Sequence, residues 1–423
     1  MYVFYSFLLL ISFLIYIPVN FVRIKLLRRE SFFLRDRLGR GLNDNCAKKQ
    51  SLWIHAVSVG EVISLQNLIK KIKEKHPAWT IHFSTLTNTG MRVAKEKLTD
   101  ADNIFFVPLD FKYVVRKYFN TLRPRVFVLA ESELWPNLLR EAKRQTKGVL
   151  LINGRISSRS FKRYSRFKFV AKKILKNIDL FLVQTEKDKE NFEKIGVNSG
   201  VVEVVKNLKS EVNLPILTEE DLLKLKSNLS IPATNKVIVA GSTRKGEEKE
   251  LIEAYSRAKS VKENLLLILA PRHPERFDEV ERICQDFPFK VMRRTQVSPN
   301  KQWDILILDT IGELAHFYAL SDVSFVGGSL VPWGGQNLLE PAFYKKPIFF
   351  GPHMDNFAFL AEKFVQSGAA RIINKNKDLD EMFLIRDEES LKKMGRSAKE
   401  TLNSLQGATE KTIKAIEAMM ADS

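Results

Sequence analysis

The feature that most constrains this chain is an alternation of short apolar runs with amphipathic stretches, which begins near residue 50. In the first half, runs rich in Val, Ile, Leu and Phe predict strands over residues 52–57, 80–84, 104–107, 126–130, 149–152 and 180–184. Each run is followed by a turn or by a helix start. This order predicts a parallel sheet covered by helices, because parallel strands must be joined by long crossover connections.

The alternation stops over residues 213–235, a polar stretch with two prolines, and then restarts. A chain of 423 residues can bury two cores of ordinary size. We therefore predict an α/β protein with two Rossmann-like domains, residues 50–212 and 236–423, joined by a linker over 213–235. The last helix can pack back on the first domain. The strands predicted in the second half cover residues 236–240, 265–270, 290–292, 305–308, 323–326, 347–350 and 370–373.

An uncharged, strongly apolar run covers residues 2–22. As a helix rising about 1.5 Å per residue, it is long enough to cross a hydrocarbon core of roughly 30 Å. The basic residues follow it, beginning with Arg23 and Lys25, which places the rest of the chain on the cytoplasmic side. We predict a membrane anchor over residues 1–22 and a basic connector over residues 23–49. A helix that lies in the membrane interface without crossing it is the alternative.

The chain carries a formal net charge of +19, which predicts acidic partners such as nucleic acid, anionic lipid headgroups or acidic small molecules. No nucleic-acid recognition module or arginine-rich arm is evident, so nucleic acid is disfavoured. The two cysteines, Cys46 and Cys284, are far apart and the six histidines are scattered. We therefore expect no disulfide framework, no essential metal and no cofactor.

Acidic residues follow two predicted strands of the first domain. Glu61 comes after the strand over residues 52–57 and a glycine turn, and Glu131 and Glu133 come directly after the apolar strand over residues 126–130. In open α/β sheets, ligands bind beyond the carboxyl ends of the strands, so these carboxylates are candidates for chemistry. The alternatives are a first-turn helix glutamate, favoured by the helix dipole, and a solvated turn after a strand.

The second domain has three loops with features of anion or nucleotide sites. The loop over residues 241–248 lacks the Gly-Lys-Ser/Thr ending of a Walker loop, which disfavours a P-loop enzyme. Arg272 follows a strand and suits a phosphate or carboxylate, although a surface arginine is the alternative. Glycines over residues 327–335 permit close backbone approach, and residues 337–340 then predict a helix start that can meet a phosphate. A capped structural loop is the alternative there.

Taken together, these stretches resemble the lipid A-specific 3-deoxy-D-manno-octulosonic acid (Kdo) transferase family over nearly the whole chain. The resemblance starts with the apolar segment and the Arg37-Leu38-Gly39 motif and continues past the Gly351-Pro352-His353 motif. It implies a GT-B fold with two Rossmann-like domains that face a central cleft. It also implies transfer of Kdo from CMP-Kdo to the lipid A precursor, lipid IVA, at the cytoplasmic side of the bacterial inner membrane. The anionic membrane surface would then be a further partner.

The resemblance also assigns roles, motif by motif. It implies that Glu61 is the general base, that Glu131 is a second essential carboxylate, and that Lys209 stabilises the transition state. The residues implied to bind the donor nucleotide are Pro271, Arg272, Ile311, Gly312, Glu313, Asn337, Leu338, Leu339 and Glu340. The chain departs from the family pattern at several positions, among them Arg244, Trp333 and Gln336.

Three other functions compete with this interpretation. The closest is a GT-B transferase that uses another nucleotide sugar, such as a UDP-sugar, on a lipid acceptor. A nucleotide-sugar epimerase of the same fold would need no lipid acceptor, and the apolar segment over residues 2–22 argues against it. A membrane scaffold without activity would leave the paired acidic residues without a purpose.

Overall fold

The computed structural model describes residues 1–27, 34–39, 50–131, 134–212, 214–298, 301–374, 377–385 and 387–421. In the first helix it describes the side chains only as far as residue 15. The chain divides into two compact units. Unit 1 comprises Met1–Glu211 and Gln406–Ser423, and unit 2 comprises Val212–Leu405.

Unit 1 is built on a seven-stranded parallel sheet with strand order β3-β2-β1-β4-β5-β6-β7. The six predicted strands are all present, and a seventh, β7, was not predicted because it has only three residues. Strands β1, β2, β4 and β5 are buried along their whole length, which explains their continuous apolar character. The strands are β1 (Ser51–His55), β2 (Thr80–Thr85), β3 (Asn103–Phe106), β4 (Val126–Ala130), β5 (Gly148–Gly154), β6 (Leu180–Val183) and β7 (Val202–Val204).

Helices cover both faces of this sheet, as predicted for a doubly wound fold. Helix α3 is typical: Val62, Leu65, Leu68, Ile69 and Ile72 recur at helical spacing and are buried in the core against β1 and β2. The helices of unit 1 are α1 (Tyr2–Leu27), α2 (Leu34–Arg37), α3 (Val59–Lys75), α4 (Asn88–Lys97), α5 (Lys112–Leu122), α6 (Pro136–Gln145), α7 (Ser158–Arg166), α8 (Lys168–Leu175), α9 (Glu186–Ile195) and the last helix, α18 (Ala408–Met420).

Unit 2 repeats the design with a second seven-stranded parallel sheet, in the order β10-β11-β9-β8-β12-β13-β14. All seven strands predicted in this half are present. Its strands are β8 (Lys236–Thr243), β9 (Leu265–Pro271), β10 (Val291–Arg293), β11 (Ile305–Ile307), β12 (Val323–Val326), β13 (Ile348–Phe350) and β14 (Ala370–Ile372). Its helices are α10 (Glu219–Asn228), α11 (Glu248–Lys259), α12 (Phe277–Gln285), α13 (Leu314–Leu320), α14 (Leu339–Phe343), α15 (Ala358–Gln366), α16 (Lys377–Leu384) and α17 (Glu388–Leu405). The two Rossmann-like domains expected from the sequence are therefore confirmed.

The units differ from the predicted boundaries at the linker, whereas the last helix lies on the first domain, where the sequence analysis allowed it to pack. Residues 213–235, predicted as a linker, belong to unit 2, where Leu229 and Ile231 are buried beside β8 and β9. Helix α18, which closes the chain, belongs to unit 1: Ile413 and Ile416 join the core that contains α3. A sequence pattern shows that α18 is amphipathic, but it does not show which sheet covers its apolar face.

The N-terminal apolar segment forms helix α1, which continues to Leu27. Among the described residues, no helix is both long enough and apolar enough to cross a membrane, so the predicted spanning anchor is not supported. The predicted connector over residues 23–49 lies largely outside the described residues. Near its end, the Arg37 guanidinium is buried and donates to the carbonyl of Leu86, just after β2.

The structure describes only one of the two cysteines. Cys46 lies outside the described residues. Cys284 is free and buried in the core of unit 2, where burial raises the pKa of its thiol to about 12. A buried thiol of that kind is inert, and it packs as a small apolar side chain.

Candidate active site

Glu61 lies in the first turn of α3, immediately after β1, and its carboxylate is buried. One oxygen accepts from the backbone N–H of Val57 at 2.8 Å, and the other accepts from the hydroxyl of Ser58 at 2.7 Å. The Ser58 hydroxyl in turn accepts from the backbone N–H of Glu61 at 3.3 Å. Ser58 therefore caps α3, and its Ser-x-x-Glu spacing to Glu61 is typical of a helix start.

Glu131 follows β4 directly and adopts a left-handed backbone conformation with φ 58°. Such a conformation is strained for a residue with a side chain and is concentrated at functional sites. Strands β1 and β4 are parallel neighbours, with His55 paired to Leu129. Glu61 and Glu131 therefore follow adjacent strands at the point where the strand order of the sheet reverses, which is where open α/β sheets bind ligands. Glu133, the other candidate in this loop, lies outside the described residues.

Lys209 makes an ion pair with Glu131: its Nζ lies 2.9 Å from a carboxylate oxygen. Lys209 is on a 3₁₀ turn, Leu208–Ser210, just beyond the carboxyl end of β7. The two side chains are partly exposed, at 44% for Lys209 and 25% for Glu131. An ion pair with that much solvent access stabilises a fold by at most about 1 kcal/mol, so its position matters more than its contribution to folding. The structure thus brings two of the three predicted catalytic residues into direct contact.

A group of amide side chains holds the Lys209 turn in place, and none of them was singled out in the sequence. The Asn207 side chain caps the turn, accepting from the backbone N–H of Lys209 at 2.8 Å. It also donates to the Gln184 side chain at 3.1 Å. The Asn153 side chain accepts from the backbone N–H of Leu208 at 3.1 Å, while Gln184 donates to the Asn153 carbonyl at 3.0 Å. Because Asn153 and Gln184 lie at the ends of β5 and β6, the network fixes Lys209 to the carboxyl edge of the sheet.

In unit 2, a buried glutamate joins the loops that follow β8 and β12. The Glu247 carboxylate accepts from the backbone N–H groups of Gly328, Ser329 and Leu330 at 2.6, 2.9 and 2.9 Å. It also accepts from the backbone N–H of Arg244 at 2.8 Å. Burial raises the pKa of the Glu247 carboxyl, and the four N–H donors oppose that change. Strands β8 and β12 are the neighbours at which the order of this sheet reverses, so Glu247 shapes the corresponding ligand edge.

Glycine is required where these two loops meet. A Cβ on Gly327 would lie 2.6 Å from the Ser242 carbonyl oxygen, which is closer than a side chain can approach. Gly328 has φ 69°, a conformation that favours glycine. The close backbone approach that glycine allows here is made to the last residues of β8, and the predicted approach of this loop to a ligand stays a prediction.

Arg272 and Glu340 interact across the same edge of the unit 2 sheet. Arg272 is exposed directly after β9, and its backbone N–H donates to the Thr243 carbonyl at 3.0 Å. Burial raises the pKa of the Glu340 carboxyl, and the positive charge of Arg272 partly opposes that change. The structure therefore places a cation close enough to a partly buried carboxyl for their charges to interact, and both are residues implied to bind the donor nucleotide.

The other residues predicted to bind the donor nucleotide differ in whether their side chains can reach a ligand. Pro271, Leu338 and Leu339 are buried, so only their backbone atoms can face a ligand. Ile311 is 83% exposed, and Gly312 has φ 92° with open space beside its Cα.

Glu313 and Asn337 already have partners within unit 2. The Glu313 carboxylate accepts from the Thr310 hydroxyl and lies 3.4 Å from the Arg294 guanidinium. The Asn337 side chain accepts from the backbone N–H of Leu339 at 3.1 Å. The helix that follows, α14, has only five residues, which is too short for the anion-binding helix terminus predicted there.

Three of the positions at which the chain departs from the family pattern, Arg244, Trp333 and Gln336, lie close together. The Arg244 guanidinium lies over the Trp333 ring, 5.0 Å from its centroid, and also contacts His273. A Cβ on Gly328 would lie 3.4 Å from the Gln336 side chain and 3.6 Å from that of Arg244. The departures therefore form one cluster beside the glycine loop, in which an arginine and a tryptophan contact each other.

Comparisons with known proteins agree with this geometry. The family described as 3-deoxy-D-manno-octulosonic-acid transferase (kdotransferase) matches residues 33–212. A 3-deoxy-D-manno-octulosonic acid transferase of Haemophilus influenzae is 31% identical over 386 residues, which cover 90% of each chain. A bifunctional glycosyltransferase/methyltransferase of Fusobacterium nucleatum is 34% identical over 342 residues, which cover 79% of this chain and 52% of that protein. This chain therefore spans about half the length of that relative.

A solved glycosyltransferase structure from Rickettsia africae has a TM-score of 0.53 at 13% identity, covering 89% of this chain and 100% of that one. At that identity the likeness concerns the fold alone. Two parallel Rossmann-like units, each with candidate site residues at the carboxyl edge of its sheet, define a fold of the GT-B-like class. Within that class, the chain belongs to the 3-deoxy-D-manno-octulosonic acid (Kdo) transferase family.

Proposed function

We propose that this protein transfers Kdo from CMP-Kdo to the lipid A precursor, lipid IVA, with inversion at the anomeric carbon, in lipopolysaccharide biosynthesis. Membership of the Kdo transferase family supports the transferred sugar. The observation that carries the chemistry is the arrangement of Glu61 and Glu131 after the adjacent strands β1 and β4, with Lys209 paired to Glu131. A base and a cation at one sheet edge are what a single displacement on a sugar needs.

Glu61 is the general base of the proposed reaction. Its carboxylate takes the proton of the acceptor hydroxyl while that oxygen attacks the anomeric carbon, and the bond between this carbon and the CMP oxygen breaks on the opposite face. The hydrogen bonds from Val57 and Ser58 fix the orientation of the carboxylate. A carboxylate has about four lone-pair positions, so these two bonds leave room for the acceptor hydroxyl.

The remaining groups bind the substrates and offset charge. CMP leaves as a phosphate monoester anion, and the cations of Arg272 and Lys209 offset the negative charge that develops on it. The proposed reaction uses no metal and no other cofactor. Glu340, held near Arg272, accepts hydrogen bonds from the ribose hydroxyls, while Glu247 holds the glycine loop beside the nucleotide. Glu131 orients Lys209 through the 2.9 Å ion pair.

The proposed acceptor is a membrane lipid, and we place the protein at the cytoplasmic side of the bacterial inner membrane. The net charge of +19 supports attraction to anionic headgroups and to the phosphates of the acceptor. Each Lys or Arg near such a surface contributes about 1 kcal/mol at low salt. High ionic strength should therefore weaken use of the lipid acceptor more than binding of the donor.

Nucleotide binding tests the proposed donor. A ligand that binds only the folded state raises the unfolding temperature, so CMP should raise it and UDP at the same concentration should not. Arg272→Ala should abolish most of the CMP-dependent shift, whereas Arg257→Ala, a matched control on α11 whose guanidinium pairs with Asp380, should retain it. A shift with UDP and none with CMP would instead favour transfer from another nucleotide sugar.

A further inference from the structure

Helix α1 packs against the side of unit 1 from Tyr2 to Phe13, through one face. The side chains on that face recur at helical spacing and include Tyr2, Tyr5, Ser6, Leu9 and Phe13. They meet α6, α8 and the loop before α5. A lipid-immersed helix would face hydrocarbon on every side, whereas this one has a protein face with its own hydrogen bonds.

The polar contacts on this face are specific. The Asn177 side chain donates to the Tyr2 hydroxyl at 3.0 Å, and the Arg140 guanidinium lies 4.6 Å from the centre of the Tyr2 ring. The Asn137 side chain donates to the Ser6 hydroxyl at 3.1 Å. Burial and the nearby carboxyl of Asp110 raise the pKa of the Tyr5 hydroxyl. These bonds would be lost if the first turns of α1 moved away from unit 1 into a bilayer.

A ring contact extends the docking towards the middle of the helix. Phe13 meets Phe111 edge to face, with 5.4 Å between the ring centroids. Beyond Phe13, only the fourteen residues Leu14–Leu27 of α1 remain, and they span about 21 Å, against roughly 30 Å for a hydrocarbon core. That stretch also includes Arg23 and Lys25. With α1 docked as far as Phe13, the rest of the helix is therefore too short to cross a bilayer.

The opposite face of α1 is apolar and exposed. Val3 is 84% exposed and Phe4 65%, and Phe7, Ile11, Leu14 and Ile15 continue the same face. Water is a poor environment for such a row of large apolar side chains, and a contiguous patch of this kind marks an interaction surface.

A second apolar and basic surface begins beside the N-terminus of α1. Met1 and Tyr5 line one pocket together with Arg163 and Val170, which belong to helices α7 and α8. Phe167, between the two helices, is 60% exposed, and Phe169, on α8, is 80% exposed. Six Lys and Arg residues surround these rings in the sequence over residues 162–173. Exposed aromatic rings among lysines and arginines fit a surface of anionic lipid headgroups over acyl chains.

We infer that this protein is held on an anionic bilayer surface from one side only: α1 lies in the membrane interface, docked on unit 1, and the α7–α8 pair inserts Phe167 and Phe169 beside it. We call the exposed face of α1 together with Phe167 and Phe169 the interfacial surface. The purpose of this surface rests on the proposed action on a membrane lipid. The contacts of α1 from which we infer it do not depend on that reaction. Docking of this kind would place the N-terminus on the same side of the membrane as both units.

Labelling from the two sides of the membrane tests the topology. In the full chain with Cys46→Ser, a cysteine in a short N-terminal Gly-Ser extension is compared with a control cysteine at the exposed Phe359 of unit 2. An impermeant maleimide should label both in inverted membrane vesicles and neither in intact spheroplasts. Labelling of the N-terminal cysteine from the spheroplast exterior, with the Phe359→Cys control labelled only in inverted vesicles, would overturn the inference. The labelling pattern does not depend on enzyme activity, so it tests the membrane topology independently of Kdo transfer.

Vesicle binding tests the contribution of α7–α8. Because each ring removes a large apolar area from water, Phe167→Ser with Phe169→Ser should weaken partition onto phosphatidylglycerol vesicles at least about ten-fold. Phe359→Ser, the matched change of an exposed phenylalanine in unit 2, should leave partition unchanged. Phosphatidylcholine vesicles should bind all three proteins more weakly than phosphatidylglycerol. If the double variant and the wild type partitioned equally, the α7–α8 pair would not be part of the membrane-binding surface.

Discussion

The ammonium group of Lys209 lies 2.9 Å from a carboxylate oxygen of Glu131, although 78 residues separate the two in the chain. Glu131 reaches this position from a left-handed backbone conformation at the end of β4, and Lys209 reaches it from a turn held by three amide side chains. The ion pair is partly open to solvent, so it contributes little to the stability of the fold. Because a strained backbone and three amide side chains nevertheless hold it in place, a role in the reaction explains it better than a role in folding.

Removal of the lysine should therefore separate activity from stability. Lys209→Ala should lower kcat by about 100-fold or more, because a cation positioned at developing charge is lost, while the free energy of unfolding changes by less than about 1 kcal/mol. Steady-state kinetics and urea unfolding measure the two effects. Lys194→Ala is the control, since Lys194 makes a similar ion pair with Glu190 at 3.0 Å on α9. Equal activity in the two variants would refute a role for Lys209.

The base role of Glu61 is separable from its capping role. Glu61→Gln should reduce turnover by about 10²–10⁴-fold, the usual contribution of a general base, and leave CMP binding nearly unchanged. Ser58→Ala removes the cap but keeps the carboxylate, so it should cost about 1 kcal/mol of stability and much less activity. If the two variants lost activity equally, Glu61 would act as a structural cap alone.

Glu247 should govern donor affinity through the glycine loop. In Glu247→Gln the amide nitrogen must face backbone N–H donors, so the loop over Gly328–Leu330 loses part of its anchoring. We expect KM for CMP-Kdo to rise at least about ten-fold, with a smaller effect on kcat. Glu253→Gln changes a partly exposed glutamate on α11 and should behave as wild type. Unchanged KM in a folded Glu247→Gln protein would exclude this positioning role.

Buried histidine makes unit 1 sensitive to acid. His55 is buried at the end of β1, bonded to Ser84, and burial lowers the pKa of its imidazole to about 4. Between pH 4 and pH 6.5 the unfolded chain therefore binds a proton that the folded chain does not, so stability falls as the pH falls through this window. The loss amounts to about 3 kcal/mol by pH 4.

Urea unfolding at pH 7.5 and at pH 4.5 measures this dependence. The difference between the two free energies of unfolding should be smaller in His55→Gln than in the wild type, because the variant has no proton to take up at this site. Groups common to both proteins cancel in the comparison. An unchanged difference would mean that His55 is protonated in the folded state.

Much of the fold was predictable because its signals are local. The strand runs were found because each is a continuous apolar stretch between turns, and only β7, a three-residue edge strand, was missed. The packing of α18 on unit 1 was allowed for but could not be derived from its pattern, because an amphipathic helix alone does not specify its partner sheet. The spanning anchor was inferred from hydropathy alone, which does not record the polar contacts that Tyr2 and Ser6 make with unit 1.

The site was predicted less completely, for a related reason. Glu61, Glu131 and Lys209 stand out in their motifs, and the resemblance to Kdo transferases assigned their roles. Glu247, by contrast, contacts residues more than eighty positions away, and no local pattern marks such a contact. The Ser58 cap was visible in the sequence as Ser-x-x-Glu, although the carboxylate that completes it also serves as the candidate base.

The most direct test is mass spectrometry of the lipid after purified protein has been incubated with CMP-Kdo and the tetraacylated lipid A precursor. The proposed function predicts that the lipid gains one or more Kdo residues, that CMP is released in equal amount, and that Glu61→Gln yields almost no product. A lipid that stays unmodified with CMP-Kdo, but gains a sugar from a UDP-linked donor, would contradict it.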